Sequence, residues 1–315
     1  MLESLPRIVS LLPAATEIVC ALGGASGLLG VSHECDFPDA ARGLPVLTAS
    51  RVGNDSSSAA IDAAVRALVH DALSIYSVDE ARLAALAPDL ILTQDLCQVC
   101  AVSLDDVRRA VGRLAQREDV QIVSLRPTRL EHVWQDIETI AAALGRPERG
   151  QALRQELEGR VRRIAVRASA ASARPRVASV EWLAPLMLGG TWMPELISLA
   201  GGEPLGASAG EPAPTVTPAE LLAMKPDVVV VKPCGFDLAR TLRERELLES
   251  AVLGSVPAHC RVYATDGNAF FNRPGPRLVE SLEILAACIQ PELFQDFALK
   301  HARVLLALAA RGHSQ

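Results

Sequence analysis

Residues Pro88–Cys100, PDLILTQDLCQVC, are the most informative about the fold of this chain. Pro88 and Asp89 close a helix, and Leu90–Thr93 is a short apolar run typical of a strand buried in a parallel sheet. An aspartate and two cysteines follow this strand directly. The same pattern returns at Pro226–Asp237, PDVVVVKPCGFD, where a cysteine again follows the strand. We therefore predict two related α/β lobes with thiols and polar groups after equivalent strands.

Composition sets the class of protein. The 315 residues are 50% hydrophobic and 22% charged, which predicts about two globular domains. A net charge of −6 and only 3% aromatic residues argue against nucleic-acid binding. Seven cysteines, an odd number, favour reduced thiols over a disulfide framework. The N-terminal residues show no signal peptide pattern, and no apolar run would span a membrane. We predict a cytoplasmic protein; the alternative is an exported protein that has lost its signal.

Short apolar runs predict parallel strands in both halves of the chain, and the second half repeats the order of the first. The predicted strands are Arg7–Leu12, Leu28–Val31, Leu90–Thr93 and Val120–Leu125 in the first lobe, and Arg176–Val180, the run after Pro226, and Arg261–Thr265 in the second. Apolar spacing predicts that Glu292–Ala310 is the last helix. In open α/β sheets, ligands bind at the carboxyl ends of strands, so we expect both lobes to turn these ends toward a shared cleft.

The segment from Thr128 to about Ser169 keeps a helical period with one break at Gly145-Arg146-Pro147. Its charged, Ala-rich second half predicts a stiff connection, unlike a Gly/Ser linker. The predicted fold class is therefore α/β, with two pseudo-duplicated, parallel-sheet, Rossmann-like lobes joined by a long rigid backbone helix. The predicted divisions are an N-terminal lobe at 1–126, the connecting helix at 127–170 and a C-terminal lobe at 171–315.

Six phrases resemble a known family, and they occur in the right order over nearly the whole chain. They are IVSLLPAATEIVCALG (8–23), GVSHECDFP (30–38), LAALAPDLILTQ (83–94), GGTWMPELISLAGG (189–202), TPAELLAMKPDVVVV (217–231) and DGNAFFNRPGPRLVE (266–280). The chain resembles the periplasmic-binding-protein type that carries cobalamin and iron–siderophore complexes, with two lobes and a helical backbone. The likeness is greatest to the cobalamin-binding members of that group.

This resemblance implies a non-catalytic binding protein that holds a cobalamin-type corrinoid or a similar metal chelate between its lobes. It could serve a transporter or act as a cytoplasmic carrier or sensor. Members of the group dock an ABC-type permease through an acidic residue on each lobe, eight positions before the Asp of the pre-strand Pro-Asp. Those positions hold Ala81 and Ala219 here, with Glu80 and Glu220 adjacent. The expected partners are thus a small metal chelate and such a permease, without nucleic acid.

A flat macrocycle needs apolar walls with a few polar anchors, and four of the eleven aromatic residues lie in two loops of the second lobe. We expect Trp182 and Phe271 to line the cleft; the alternative for Trp192 and one phenylalanine is packing beneath the loop. Arg273 could bind a carboxylate, phosphate or amide, or instead make a surface ion pair. The ligand-binding candidates are Pro13, Ala14, Cys35, Asp36, Asp95, Cys97, Trp182, Trp192, Phe270, Phe271 and Arg273.

The cysteines leave a second hypothesis open. Cys97 and Cys100 form a CxxC, and Cys35 and Cys234 also follow strands, so these four thiols could bind zinc, a thiophilic ion or an iron–sulfur cluster. The alternatives are a disulfide or redox role, or simple packing as small apolar residues. His33 could ligate a metal or be a hydrogen-bonded structural residue. GxSxG, HExxH and Walker patterns are absent, so we predict no enzyme, although a thiolate site could be catalytic.

Overall fold

The computed structural model describes residues 5–52, 56–70, 76–94 and 120–308, and these form two compact units. The N-terminal unit takes the described residues up to Ser56, those between Ala63 and Pro127, and Glu131–Glu156. The C-terminal unit takes Ser57–Asp62, Thr128–Leu130 and the described residues from Leu157 onward. The segment between the two sheets is helical with one break, as predicted. The three-part division of the chain stays a prediction.

The N-terminal unit contains six strands. They are β1 (Ile8–Ser10), β2 (Leu28–Val31), β3 (Thr48–Ser50), β4 (Tyr76–Val78), β5 (Leu90–Gln94) and β6 (Gln121–Leu125). Four of them form a parallel sheet with the order β2-β1-β5-β6. The other two, β3 and β4, form a separate antiparallel sheet.

The C-terminal unit repeats this arrangement. Its strands are β7 (Arg176–Leu183), β8 (Leu186–Leu188), β9 (Glu203–Pro204), β10 (Val228–Val231), β11 (Arg261–Thr265) and β12 (Leu305–Leu308). The parallel strands follow the order β9-β7-β10-β11. In both units, therefore, the second parallel strand lies on one side of the first, and the third and fourth lie on its other side. Two antiparallel strands, β8 beside β7 and β12 beside β11, make the sheet mixed. The duplicated α/β fold is confirmed.

The structure describes ten helices of six or more residues, and it departs from the predicted last helix at the end of the chain. They are α1 (Pro13–Ala21), α2 (Ser58–His70), α3 (Glu80–Leu86), α4 (Leu130–Ala143), α5 (Pro147–Ala168), α6 (Met193–Leu199), α7 (Pro218–Ala223), α8 (Leu238–Arg243), α9 (Leu278–Ile289) and α10 (Gln295–Lys300). The prediction of a helix over Glu292–Ala310 is wrong after Lys300. There β12 pairs with β11, with Leu308 opposite Val262. A short apolar run fits either structure, and the open edge of β11 selects the strand.

The repeated Pro-Asp has the same structural role in each unit. The Asp89 carboxylate accepts the backbone N–H of Arg7 at 3.0 Å, and the Asp227 carboxylate accepts that of Arg176 at 2.7 Å. The backbone N–H of each aspartate returns a bond to the same residue's carbonyl, at 2.8 Å in both units. The residue before each proline is left-handed, with φ of 41° and 48°. Each Pro-Asp therefore ends a helix and ties the third parallel strand to the start of the first.

The two strands that follow these motifs are deeply buried in their sheets. Leu90, Ile91 and Leu92 are at most 1% exposed, and every residue of β10 is 0% exposed. Burying each such side chain contributes about 1.5–3 kcal/mol relative to leaving it in water. Continuous apolar strands of this kind require cover on both faces. The change to polar residues at their carboxyl ends therefore marks where the apolar core stops.

A buried ion cluster joins α5, α9 and α10 within the C-terminal unit. The Glu283 carboxylate, 6% exposed, accepts hydrogen bonds from Arg160 at 3.0 Å, from Lys300 and from His301 at 2.9 Å. Burial alone would raise the pKa of Glu283, but these three donors outweigh it and hold the pKa at about 2. The cluster is therefore stable while Glu283 is ionised.

Candidate ligand-binding site

In the N-terminal unit, the exit of β1 leads directly into α1. Pro13 is the first residue of α1 and Ala14 is buried beneath it. The Cys35 sulfur lies 3.1 Å from the Thr16 hydroxyl and 3.1 Å from the Ser32 hydroxyl, and the residue is 8% exposed. The exits of β1 and β2 thus bring a thiol and two hydroxyl groups together.

His33 lies beside this thiol in sequence and is held by its own contacts. Its Nδ1 is 2.7 Å from the Thr48 hydroxyl, its Nε2 is 3.3 Å from the Glu34 carboxylate, and its ring packs 5.1 Å from that of Tyr76. These contacts are those of a hydrogen-bonded structural residue, which is one of the two roles considered for His33. Asp36 is exposed, and its contact with a ligand stays a prediction.

In the C-terminal unit, Lys232 contacts residues at the carboxyl ends of two neighbouring strands. It follows β10 directly and is 0% exposed. Its ammonium donates to the Glu181 carboxylate at 2.9 Å, on β7, and to the Asn272 side-chain oxygen at 3.1 Å, in the loop after β11. One buried cation therefore ties together the exits of three neighbouring strands. Sequence reasoning missed this residue; a lysine placed directly after four buried valines was the available signal.

The loop after β11 is closely fitted to the end of β10. The Asn272 amide donates to the Gly267 carbonyl at 2.7 Å, and the Asp266 carboxylate accepts the Ala269 N–H at 2.7 Å. A Cβ on Gly267 would overlap the backbone carbonyls of Lys232 and the residue after it. Burial raises the pKa of Asp266 above its usual value. The loop thus has little freedom to shift relative to the sheet.

Two aromatic rings pack together near the ends of β7 and β10. The rings of Trp182 and Phe236 pack 5.2 Å apart, and the Arg240 guanidinium lies 4.2 Å above the Phe236 ring. The Trp182 indole N–H donates to the Ala184 carbonyl at 3.0 Å, which fixes the ring. Trp182 is half-buried, so part of it remains open to a ligand. Contact of Trp182 with a ligand stays a prediction; Phe236 and Arg240, which pack beside it, were not among the predicted residues.

The other predicted aromatic residues differ in exposure. Trp192 is 5% exposed and Phe271 is 0% exposed, and the Trp192 indole donates to the Phe271 carbonyl at 2.8 Å. Phe271 has a φ of +64°, which only surrounding contacts can maintain. Arg273 is 6% exposed and bonds Asn268 at 3.1 Å, whereas Phe270 is half-buried. In this structure Trp192, Phe271 and Arg273 support the loop, and their contact with a ligand stays a prediction.

Of the four cysteines proposed as metal ligands, the structure describes Cys35 and Cys234. Cys234 is half-buried, and its N–H donates to the Glu181 carbonyl at 3.0 Å. Asp95, Cys97 and Cys100 lie outside the described residues. The five cysteines within the described ranges form no disulfide with one another. Within those ranges no three His, Cys, Asp or Glu side chains are grouped to hold a metal ion. The thiolate metal site stays a prediction.

Residues 8–269 match the model of a family described as periplasmic binding protein. The chain belongs to the periplasmic binding protein family. A vitamin B12-binding protein of Yersinia pestis is 25% identical to it over 232 residues, which cover 73% of this chain and 70% of the relative.

Solved structures of periplasmic binding proteins have the same fold. A heme-binding protein from Pseudomonas aeruginosa is 22% identical with a TM-score of 0.70, covering 91% of this chain and 94% of that one. The vitamin B12 binding protein BtuF of Vibrio cholerae is 23% identical with a TM-score of 0.60, covering 91% of this chain and 97% of that one. At these identities the likeness establishes the fold, and it does not by itself choose the ligand.

Membership of this family bears on two predictions made from the sequence, the type of protein and its location. The protein is of the substrate-binding type, as predicted. The cytoplasmic location that we predicted from the N-terminal residues is not supported, because the family is periplasmic; the exported alternative agrees with it. None of the helices that the structure describes has the length and apolar character needed to cross a bilayer.

Proposed function

We propose that this periplasmic binding protein holds a cobalamin-type corrinoid, or a similar metal chelate, and releases it chemically unchanged. The observation that carries the proposal is the C-terminal carboxyl edge, by which we mean the last residues of β7 and the residues that follow β10 and β11. There the half-buried ring of Trp182 packs on the buried ring of Phe236, and Lys232, Glu181 and Asn272 form a small polar cluster. An apolar wall with a few fixed polar groups suits a flat, amide-bearing macrocycle. Relatives named for vitamin B12 binding and neighbours named for heme binding support this ligand class.

Equilibrium dialysis against cyanocobalamin and, separately, hemin tests the proposal. We expect saturable binding of about one corrinoid per chain, a shift in its visible absorbance and retention on gel filtration. Mass spectrometry of the released ligand should show its original mass, because the protein performs no chemistry. Failure of cyanocobalamin to be retained, with no spectral change, would refute corrinoid binding; retention of hemin alone would reassign the ligand within the same class.

A pair of variants separates the site from general stability. Trp182→Leu removes the half-exposed ring at the carboxyl edge, so we expect corrinoid affinity to fall about tenfold, the loss of an aromatic contact worth about 1–1.5 kcal/mol. Phe297→Leu is the matched control. Phe297 is also half-buried in the C-terminal unit, but it stacks with Phe294 under Arg167, outside the strand exits. Equal losses of affinity in both variants would count against the proposed face.

We also propose that the protein works outside the cytoplasm with an ABC-type permease that it contacts through Glu80 and Glu220. Both residues lie in the first turn of the helix that precedes the third parallel strand of a unit, α3 and α7. The Glu220 carboxylate also accepts the N–H of Thr217 in a capping box.

Affinity capture from detergent-solubilised membranes of the source cells tests this contact. Wild-type protein should recover permease subunits, and the double variant Glu80→Ala/Glu220→Ala should not. Thr217→Ala is the control, because it breaks the same capping box but keeps the Glu220 charge. Recovery of the same subunits by the double variant would contradict these contact residues.

A further inference from the structure

We infer that Glu181 is a specificity-determining residue, which favours ligands with amide N–H groups and disfavours ligands with carboxylates. This inference rests on the proposed function and deepens it. It concerns the C-terminal carboxyl edge alone, where Glu181 follows the buried part of β7 and precedes Trp182.

The Glu181 carboxylate pairs with a buried cation and is also partly exposed to solvent. Its Oε2 atom accepts the Lys232 ammonium at 2.9 Å, and Lys232 is 0% exposed, so the cation itself cannot reach a ligand. The Glu181 side chain is 26% exposed. A carboxylate can accept about four hydrogen bonds, and the described residues supply only this one donor to it. The remaining lone pairs are therefore available to donors on a ligand.

The cations that flank this edge are already engaged. The Arg240 guanidinium, 12% exposed, pairs with Glu244 at 2.7 Å and covers the ring of Phe236. Arg273 is 6% exposed and bonds Asn268. A carboxylate brought here would lose its hydration next to Glu181 and would have to displace one of these contacts to gain a cation.

An amide group meets the opposite situation. Its N–H can donate to the exposed lone pairs of Glu181, and a hydrogen bond to a charged acceptor is stronger than one between neutral groups. Corrinoids of the cobalamin type carry several side-chain amides, whereas heme carries propionate groups. The C-terminal carboxyl edge therefore favours the amidated corrinoid of the two macrocycle classes.

Two corrinoids that differ in this feature test the inference without changing the ring. Dicyanocobinamide carries side-chain amides, dicyanocobyrinic acid carries carboxylic acids in their place, and both lack the nucleotide. At neutral pH we expect wild-type protein to prefer dicyanocobinamide by at least about tenfold, the equivalent of one charged hydrogen bond. Glu181→Gln should reduce this preference about tenfold. The control Glu203→Gln removes a carboxylate beside Arg176, at the opposite end of β7, and should keep the preference.

The outcomes separate the inference from the proposed function. If neither corrinoid and no cobalamin binds wild-type protein, both are overturned. If corrinoids bind but without preference, or if Glu181→Gln retains the full preference, the inference alone is overturned. Because Glu181→Gln leaves Lys232 without its carboxylate, the double variant Glu181→Gln/Lys232→Met, which removes both charges, is measured as well. A folded double variant, judged by circular dichroism, that retains the preference overturns the inference too.

Discussion

Replacing Lys232 with methionine removes the ammonium group while keeping most of the apolar stem. The side chain is 0% exposed and lies directly after the fully buried strand β10. The variant loses the hydrogen bonds to Glu181 at 2.9 Å and to Asn272 at 3.1 Å. We expect the loop after β11 to loosen first, because Asn272 joins that loop to the sheet.

The structure sets the size of the effect. Removing one partner of a fully buried ion pair costs roughly 3–5 kcal/mol, because the remaining charge stays buried and unpaired. The Glu181 side chain is 26% exposed and can regain part of its hydration. Losing the donor to Asn272 adds about 1 kcal/mol. We therefore expect Lys232→Met to lower the free energy of unfolding by about 2–3 kcal/mol.

Urea denaturation of a double-mutant cycle measures this value. Glu181→Gln, Lys232→Met and the double variant should be non-additive by at least about 1 kcal/mol, because the two side chains share one interaction. Lys225→Met is the control: this exposed lysine lies just before β10, and its loss should stay within about 0.5 kcal/mol. A loss below about 1 kcal/mol for Lys232→Met, or additivity within about 0.5 kcal/mol, would refute the reasoning.

Three further predictions concern the C-terminal unit. The pKa of Glu283 is about 2 in the folded protein against 4.5 when unfolded, which contributes about 3 kcal/mol of stability above pH 4.5. This stability is lost as the pH falls toward 2, so urea midpoints should fall over this range in wild type and change less in Glu283→Gln. An equal dependence of the urea midpoint on pH in the two proteins would contradict this. Gly267→Ala should lower the free energy of unfolding by more than about 2 kcal/mol, because the new Cβ overlaps backbone atoms. Gly159→Ala, in helix α5, should instead raise it by about 0.5–1 kcal/mol. Similar thermal midpoints for the two variants would contradict this. Trp192→Phe should cost about 1–3 kcal/mol in urea denaturation, since the buried Phe271 carbonyl loses its donor, and no loss would show that this bond is dispensable.

The success of sequence reasoning depended on how local each feature is. Pro88-Asp89 and Pro226-Asp227 predicted two equivalent strands because proline ends a helix and the apolar run after it must be buried. The last helix was half wrong, because Leu305–Leu308 became a strand only in the presence of the open edge of β11.

The candidate site shows the same division. Trp182 was selected as the residue after a predicted strand that ended at Val180; β7 continues through it to Leu183, and its ring is half-buried beside Phe236. For Trp192 and the phenylalanines, sequence alone could not choose between lining a cleft and packing beneath the loop, because the path of the loop against α9 determines which aromatic ring turns inward. The backbone N–H of Phe271, for example, donates to the hydroxyl oxygen of Ser281, ten residues later. The exposure of a loop residue is thus a property of its neighbours in space.

The duplicated α/β architecture can be read from the sequence, because hydrophobic runs, prolines and glycines act over a few residues. The chemistry of the C-terminal carboxyl edge depends instead on contacts between residues far apart in the chain. Lys232 meets Glu181, 51 residues earlier, and Asn272, 40 residues later, because three parallel strands end side by side. A buried lysine must find such partners to remain charged, and sequence spacing carries no record of which ones the sheet will bring to it.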